Sequence, residues 1–187
     1  MPRKTAKILA AVFGAMLAVL YVIRPVEASP AIPPALAALK ADPAPKLAPA
    51  ATFMDAQGHA QPLSAFKGHV VILNLWATWC APCVEELPAV AKLAAALGSG
   101  KVMVVAVNAS HDDAAKVADF LKAHGAANLA VYRDPDLSIL TAFGSQGLPF
   151  SVVIDGKGRE IARASGPMKW DDPTAIAYFK SLASRAN

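Results

Sequence analysis

Cysteine is almost absent from this chain: its 187 residues contain two, Cys80 and Cys83. A framework of structural disulfides is therefore excluded. A bridge between residues three apart closes so small a loop that it restricts the unfolded chain very little. A zinc site would need two further ligands from His59, His69, His111 and His124, and none of these forms an H-x(3–5)-H pair. An excess of one charge is missing as well. The net charge of +4 is accounted for by Arg3, Lys4, Lys7 and Arg24 alone, and the remainder is balanced. That is a topogenic cluster on a neutral domain, with no basic patch for nucleic acid. There is no internal repeat.

What is present divides the chain into three parts. After Arg3, Lys4 and Lys7 come sixteen uncharged, mostly apolar residues, 8–23. As a helix they span about 24 Å against a bilayer core of roughly 30 Å. The layout predicts a signal-anchor over residues 1–23, with the N-terminus in the cytoplasm and the rest outside it. A cleaved signal ending at Val26-Glu27-Ala28 is the rival. Residues 24–50 hold seven of the fifteen prolines amid alanines and read as a semi-extended tether. Residues 51–187 make one domain's worth of chain.

The two cysteines lie in Trp76-Ala77-Thr78-Trp79-Cys80-Ala81-Pro82-Cys83. Before them, 69–76 (HVVILNLW) is an apolar, β-branched run with the length of a buried strand. After them, a helical pattern over 84–97 ends at Gly98 and contains Pro88, where a kink is expected. Strand, C-x-x-C and helix in this order place Cys80 at a helix N-terminus, where unpaired N–H groups stabilise a thiolate. Two inert core cysteines would not have Pro82 between them. Two thiols at this spacing can exchange with another protein's disulfide, the second resolving what the first attacks. Upstream, residues 53–63 read as a hairpin with a glycine turn; downstream, 101–107 and 128–132 read as strands and 137–143 as a short helix. Ser110-x-x-Asp113 reads as a capping box before a helix ended by Gly125. Residues 150–154 and 160–164 flank a turn, and Asp172-Pro173 caps a last helix. Alternating strands and helices predict an α/β sheet with an antiparallel hairpin at its end.

With a later Leu148-Pro149 before a strand, the chain resembles the thioredoxin superfamily. Within it, W-A-T-W-C-A-P-C-x-E-E-L-P is similar to the membrane-tethered TlpA/ResA group. V-V-A-V-N at 104–108, G-L-P at 147–149, V-I-D-x-x-G at 153–158 and G-P-x-x-W at 166–170 extend the likeness from about residue 51 to the C-terminus. The last pattern resembles the TlpA side of the group. The resemblance implies a three-layer α/β/α fold with a central mixed sheet, an N-terminal hairpin and an inserted strand–helix unit over 101–142. It implies that Cys80 is the exposed nucleophile, Cys83 the buried resolving thiol, and the Cys80–Cys83 disulfide the only redox group, with no further cofactor and no metal. Pro149 would be a cis-proline facing them, Leu148 offering backbone hydrogen bonds to a substrate strand. Glu86 matches an acidic residue able to influence the Cys83 proton. Asn74 stands where cytoplasmic thioredoxins carry a buried aspartate. Trp79 and Phe150 are docking candidates, Phe150 replacing a small polar residue; Trp76 and Trp170 read as packing.

No histidine separates the cysteines, so a reducing rather than oxidising dithiol is expected. The resemblance implies an extracytoplasmic thiol–disulfide reductase, anchored in the bacterial inner membrane with its catalytic domain in the periplasm. Implied clients are the copper-binding cysteines of cytochrome oxidase subunit II, its copper chaperone, or apocytochrome c; a membrane thiol shuttle supplies electrons. A copper metallochaperone is the alternative from another class, although it would use C-x-x-x-C and a distal histidine. A thiol peroxidase is a second, although no P-x-x-x-T-x-x-C surrounds Cys80. Intact mass and membrane fractionation test the topology: a full-length membrane species is expected, and a soluble species starting at Ser29 would refute the anchor.

Overall fold

The computed structural model describes residues 30–186. The expected anchor over 1–23 and the first residues of the tether lie outside them. Among the described residues, no helix is long and apolar enough to cross a membrane.

The described residues form eight strands: β1 (Leu39–Leu47), β2 (Thr52–Met54), β3 (Ala60–Pro62), β4 (Val70–Trp76), β5 (Val102–Asn108), β6 (Tyr132–Arg133), β7 (Phe150–Ile154) and β8 (Arg159–Ser165). The helices are α1 (Ala81–Leu97), α2 (Ala114–Ala123), α3 (Ser138–Ala142) and α4 (Pro173–Ser181). One mixed sheet results, in the order β1-β8-β7-β4-β5-β6-β2-β3. β4 lies near its middle, parallel to β5 and antiparallel to β7. The mixed sheet, the β2–β3 hairpin and the β5–α2 unit are those expected from the sequence.

Every residue of β4 is buried, as its run of apolar residues around Asn74 requires of a strand covered on both faces. Its alternation divides two cores. Val70, Ile72 and Trp76 pack with Leu87, Val90, Val117, Leu121 and Phe179 from α1, α2 and α4. Val71, Leu73 and Leu75 pack on the opposite face with Ile139 and Phe143 from the α3 region, and with Phe53 and Leu63. Asn74 is the one polar residue of β4, and the alternation turns it towards the α1 side. α1 continues through Pro88 and ends at Gly98 with φ +60°, a conformation that glycine adopts without strain.

Three expectations are corrected. The tether reading fails for residues 30–50, which belong to the domain. A 3₁₀ turn (Pro34–Leu36) leads into β1, which pairs antiparallel with β8, and Leu36 and Leu39 are buried. The prolines that suggested a spacer are accommodated because β1 is an edge strand. Pro43 and Pro45 fall where the register shifts between Ala41 and Lys46, so no ladder bond needs their missing N–H. The third strand, expected over 128–132, is only Tyr132–Arg133. Asp113, rather than Ser110, caps α2, accepting from the Lys116 N–H at 2.8 Å.

Leu36→Ala should lower stability by about 2–5 kcal/mol, the usual cost of emptying a fully buried leucine site. Thermal unfolding checks this: an unchanged midpoint would return residues 30–38 to the status of a spacer.

Candidate active site

β4 delivers the chain through Ala77, Thr78 and Trp79 to Cys80, the N-cap of α1. The Cys80 N–H donates to the Ala77 carbonyl at 3.1 Å, and its own carbonyl accepts from Val84 N–H at 3.0 Å to open the helix. Cys80 and Cys83 are joined in a disulfide with Cα atoms 5.3 Å apart. Cys80 retains 5% of its surface and Cys83 none. The direction of the expected asymmetry is present, but in the disulfide state Cys80 is not openly exposed. The exposed group beside it is Trp79, at 69%. The first turn of α1 contains no acidic residue, so nothing there opposes the stabilisation of a Cys80 thiolate by the helix terminus.

The Leu148–Pro149 peptide is cis. Phe150 pairs with Leu75, which puts Pro149 at the same end of the sheet as the cysteine loop. Pro149 is buried and its carbonyl accepts from the Gly166 N–H at 2.9 Å, while Leu148 is half-buried between the two cores. Phe150 does not join this surface. It is 2% exposed, packs on the Leu75 face and lies 5.7 Å from the Arg163 guanidinium. Its expected docking role is corrected: strand alternation after Pro149 turns the ring into the core. Trp76 is buried against Phe120.

Glu86, one turn beyond Cys83, is 6% exposed. Its Oε1 accepts from Asn74 Nδ2 at 3.2 Å; its Oε2 accepts from the Met168 N–H at 3.2 Å and from Trp170 Nε1 at 3.1 Å. Burial raises its pKa above the ordinary carboxyl value, and these three donors oppose the rise. Asn74 also donates to Ser151 Oγ at 3.1 Å. The sequence places Glu86 near Cys83 but marks Trp170 only as a packing residue. The G-P-x-x-W pattern marked the residue without showing that its indole N–H serves Glu86.

A second polar group, not foreseen, holds the cysteine loop. Thr78 Oγ1 donates to Asp112 Oδ2 at 2.6 Å, and Ser110 Oγ lies 2.8 Å from the same oxygen and 2.6 Å from Asn108 Oδ1. One hydroxyl hydrogen cannot serve both oxygens. Turning the Asn108 amide gives a consistent chain, Asn108 to Ser110 to Asp112, and also supplies a partner for its otherwise orphaned Nδ2. The Lys116 ammonium foremost, then the Thr78 hydroxyl, hold the Asp112 carboxyl down at about 2. Its stabilising contribution is complete above the ordinary value of 3.8 and is lost as pH falls through about 2. Asp112→Asn should therefore accelerate amide exchange over residues 77–80 at neutral pH; unchanged exchange would mean that other contacts hold the loop.

The Redoxin family model matches residues 42–178. The chain is 36% identical over 121 residues to the thiol-disulfide oxidoreductase ResA of Bacillus subtilis (strain 168), a match covering 65% of this chain and 66% of that protein. It is 33% identical over 105 residues to the thiol:disulfide interchange protein DsbE homolog of Paracoccus denitrificans (strain Pd 1222), covering 56% and 55%. Among solved structures, the exposed lipoprotein thioredoxin of Streptococcus pneumoniae strain TIGR4 superposes with a TM-score of 0.58 at 27% identity, over 72% of this chain and 98% of that one.

Proposed function

The chain belongs to the Redoxin family, to its thioredoxin-like thiol–disulfide oxidoreductases, and from that footing we propose that it is an extracytoplasmic, membrane-tethered reductant of client cysteine pairs. The observation that carries this reading is the Cys80–Cys83 pair at the start of α1, separated only by Ala81 and Pro82. No histidine cation is present between the cysteines to stabilise the reduced form. That favours a potential nearer the roughly −270 mV of a reductant than the roughly −120 mV of a strong oxidant.

In the forward cycle, the Cys80 thiolate attacks one sulfur of a client disulfide. The client S–S bond breaks, a mixed disulfide forms through Cys80, and the departing client thiolate takes up a proton. Cys83 then loses its proton and attacks Cys80 Sγ, releasing the second client thiolate, which is protonated in turn. Two electrons and two protons have passed to the client, leaving the Cys80–Cys83 disulfide. A membrane thiol shuttle restores the dithiol. Trp79 supplies an apolar docking surface beside Cys80, and the Leu148 backbone next to the cis-proline supplies hydrogen bonds to an extended client segment.

The clients we favour are cysteine pairs that must be reduced before a cofactor is inserted. The copper-binding pair of cytochrome oxidase subunit II or of its copper chaperone ranks first, because of the G-P-x-x-W pattern at 166–170; apocytochrome c is second. The N-terminal segment would hold the domain in the periplasm at the inner membrane, raising its effective concentration near membrane-bound clients.

Cys80→Ser should abolish disulfide reduction, whereas Cys83→Ser should keep the attacking thiol and accumulate mixed disulfides with clients in cells. Trapping by the Cys80 variant instead would reverse the two roles. Equilibration of the purified protein with a redox buffer tests the direction, and a potential near −120 mV would sink the reductant reading.

A further inference from the structure

The two oxygens of Glu86 are held differently. Oε2 faces two N–H groups, from the Met168 backbone and the Trp170 indole, while Oε1 faces only the Asn74 amide. Neither N–H can act as an acceptor, so a proton on Oε2 would have no partner in that direction. The Asn74 amide has both an acceptor and a donor. Its Nδ2 serves Glu86 and Ser151, while its Oδ1 is buried without a hydrogen-bond partner. Turned about its terminal torsion, the same amide would present Oδ1 to Glu86 Oε1 and to the Ser151 hydroxyl, each then able to donate. One orientation satisfies the ionised carboxylate and the other the protonated acid.

We propose that Trp170 is a positioning residue of the redox centre: together with the Met168 N–H it pins Glu86 Oε2, so that the exchangeable proton of Glu86 is carried on Oε1 and the Asn74 amide turns with it. The indole is aimed by its surroundings. Trp170 is 1% exposed and stacks on Phe179 with ring centroids 5.8 Å apart. The loop that carries it is tied at both ends, through Gly166 N–H to the Pro149 carbonyl at 2.9 Å and through Lys169 N–H to the Ala35 carbonyl at 3.2 Å. The first of these bonds reaches the cis-proline, and the second reaches the N-terminal turn that the family match leaves out.

Charged neighbours do not replace this arrangement. On α1 the other ionisable groups are Cys83 once reduced, Glu85 and Lys92, the last paired with Asp171 at 3.0 Å on the exposed side. The loop adds Lys169 and Asp172, and α4 adds Tyr178 and Lys180. β4 and β7 contribute only Asn74 and Ser151. Every hydrogen-bond donor to Glu86 is neutral.

Carbon-13 NMR of the Glu86 carboxyl across pH, assigned with Glu86→Gln, tests the proposal. Trp170→Phe keeps a ring in the core and removes the donor to the ionised form. The Glu86 midpoint should rise by about one pH unit, a tenfold gain in proton affinity. In the unsubstituted protein, the Trp170 indole and Asn74 side-chain amide resonances should move with the same midpoint as the carboxyl. An unchanged midpoint in Trp170→Phe, or Asn74 resonances that ignore the titration, overturns the proposal. The link to chemistry rests on the reductant reading and is tested separately. If ionised Glu86 holds Cys83 protonated, the pH profile of disulfide reduction should shift with the carboxyl midpoint. A raised midpoint with an unmoved rate profile upholds the pinning of Glu86 by Trp170 and excludes an influence of Glu86 on the Cys83 proton.

Discussion

Burying Glu86 against the sheet obliges several distant parts of the chain to meet around it. A carboxyl removed from water needs hydrogen-bond donors, and those within reach come from β4, from the backbone at Met168 and from Trp170. Asn74 passes the same network on to Ser151 of β7. One side chain thus ties α1, the two central antiparallel strands and the loop before α4 into a single arrangement. Because Glu86 lies one turn beyond Cys83, this arrangement also fixes the start of α1, where the redox chemistry takes place. Burial raises its proton affinity, and the three donors oppose that rise.

The cysteine loop is held from its other side by different means. Thr78 is hydrogen-bonded to Asp112, whose charge is secured by Lys116, so the short path from β4 to Cys80 is fixed by the loop following β5. Together with the cis-proline at the head of β7, this places the disulfide among three rigid strand ends and leaves Trp79 as the large exposed apolar group beside it. Sites built on the ends of buried strands keep their geometry because core packing determines where each strand stops.

Much of this was legible in the sequence. The C-x-x-C spacing, the apolar run before it and the helical pattern after it located the centre and its supporting elements without coordinates. Pro149 was found from its G-L-P context. In the sequence Phe150 looks like part of the surface around Pro149, whereas strand alternation assigns it to the far face. Proline content in the N-terminal segment reports local stiffness but says nothing of edge pairing, where missing N–H groups are tolerated. Trp170 both packs on Phe179 and donates to Glu86, and only the packing is legible in the sequence.

By itself the sequence determined the chemistry, because two thiols three apart at the start of a helix admit few uses, and it determined the fold class, because hydrophobic periodicity is a local property. Only the tertiary structure decided which polar groups surround those thiols. Glu86 and Trp170 lie 84 residues apart in the chain, and Asn74 and Ser151 lie 77 apart. Hydrogen bonds over such separations are set by how the strands and helices stack, and no spacing along the chain encodes them.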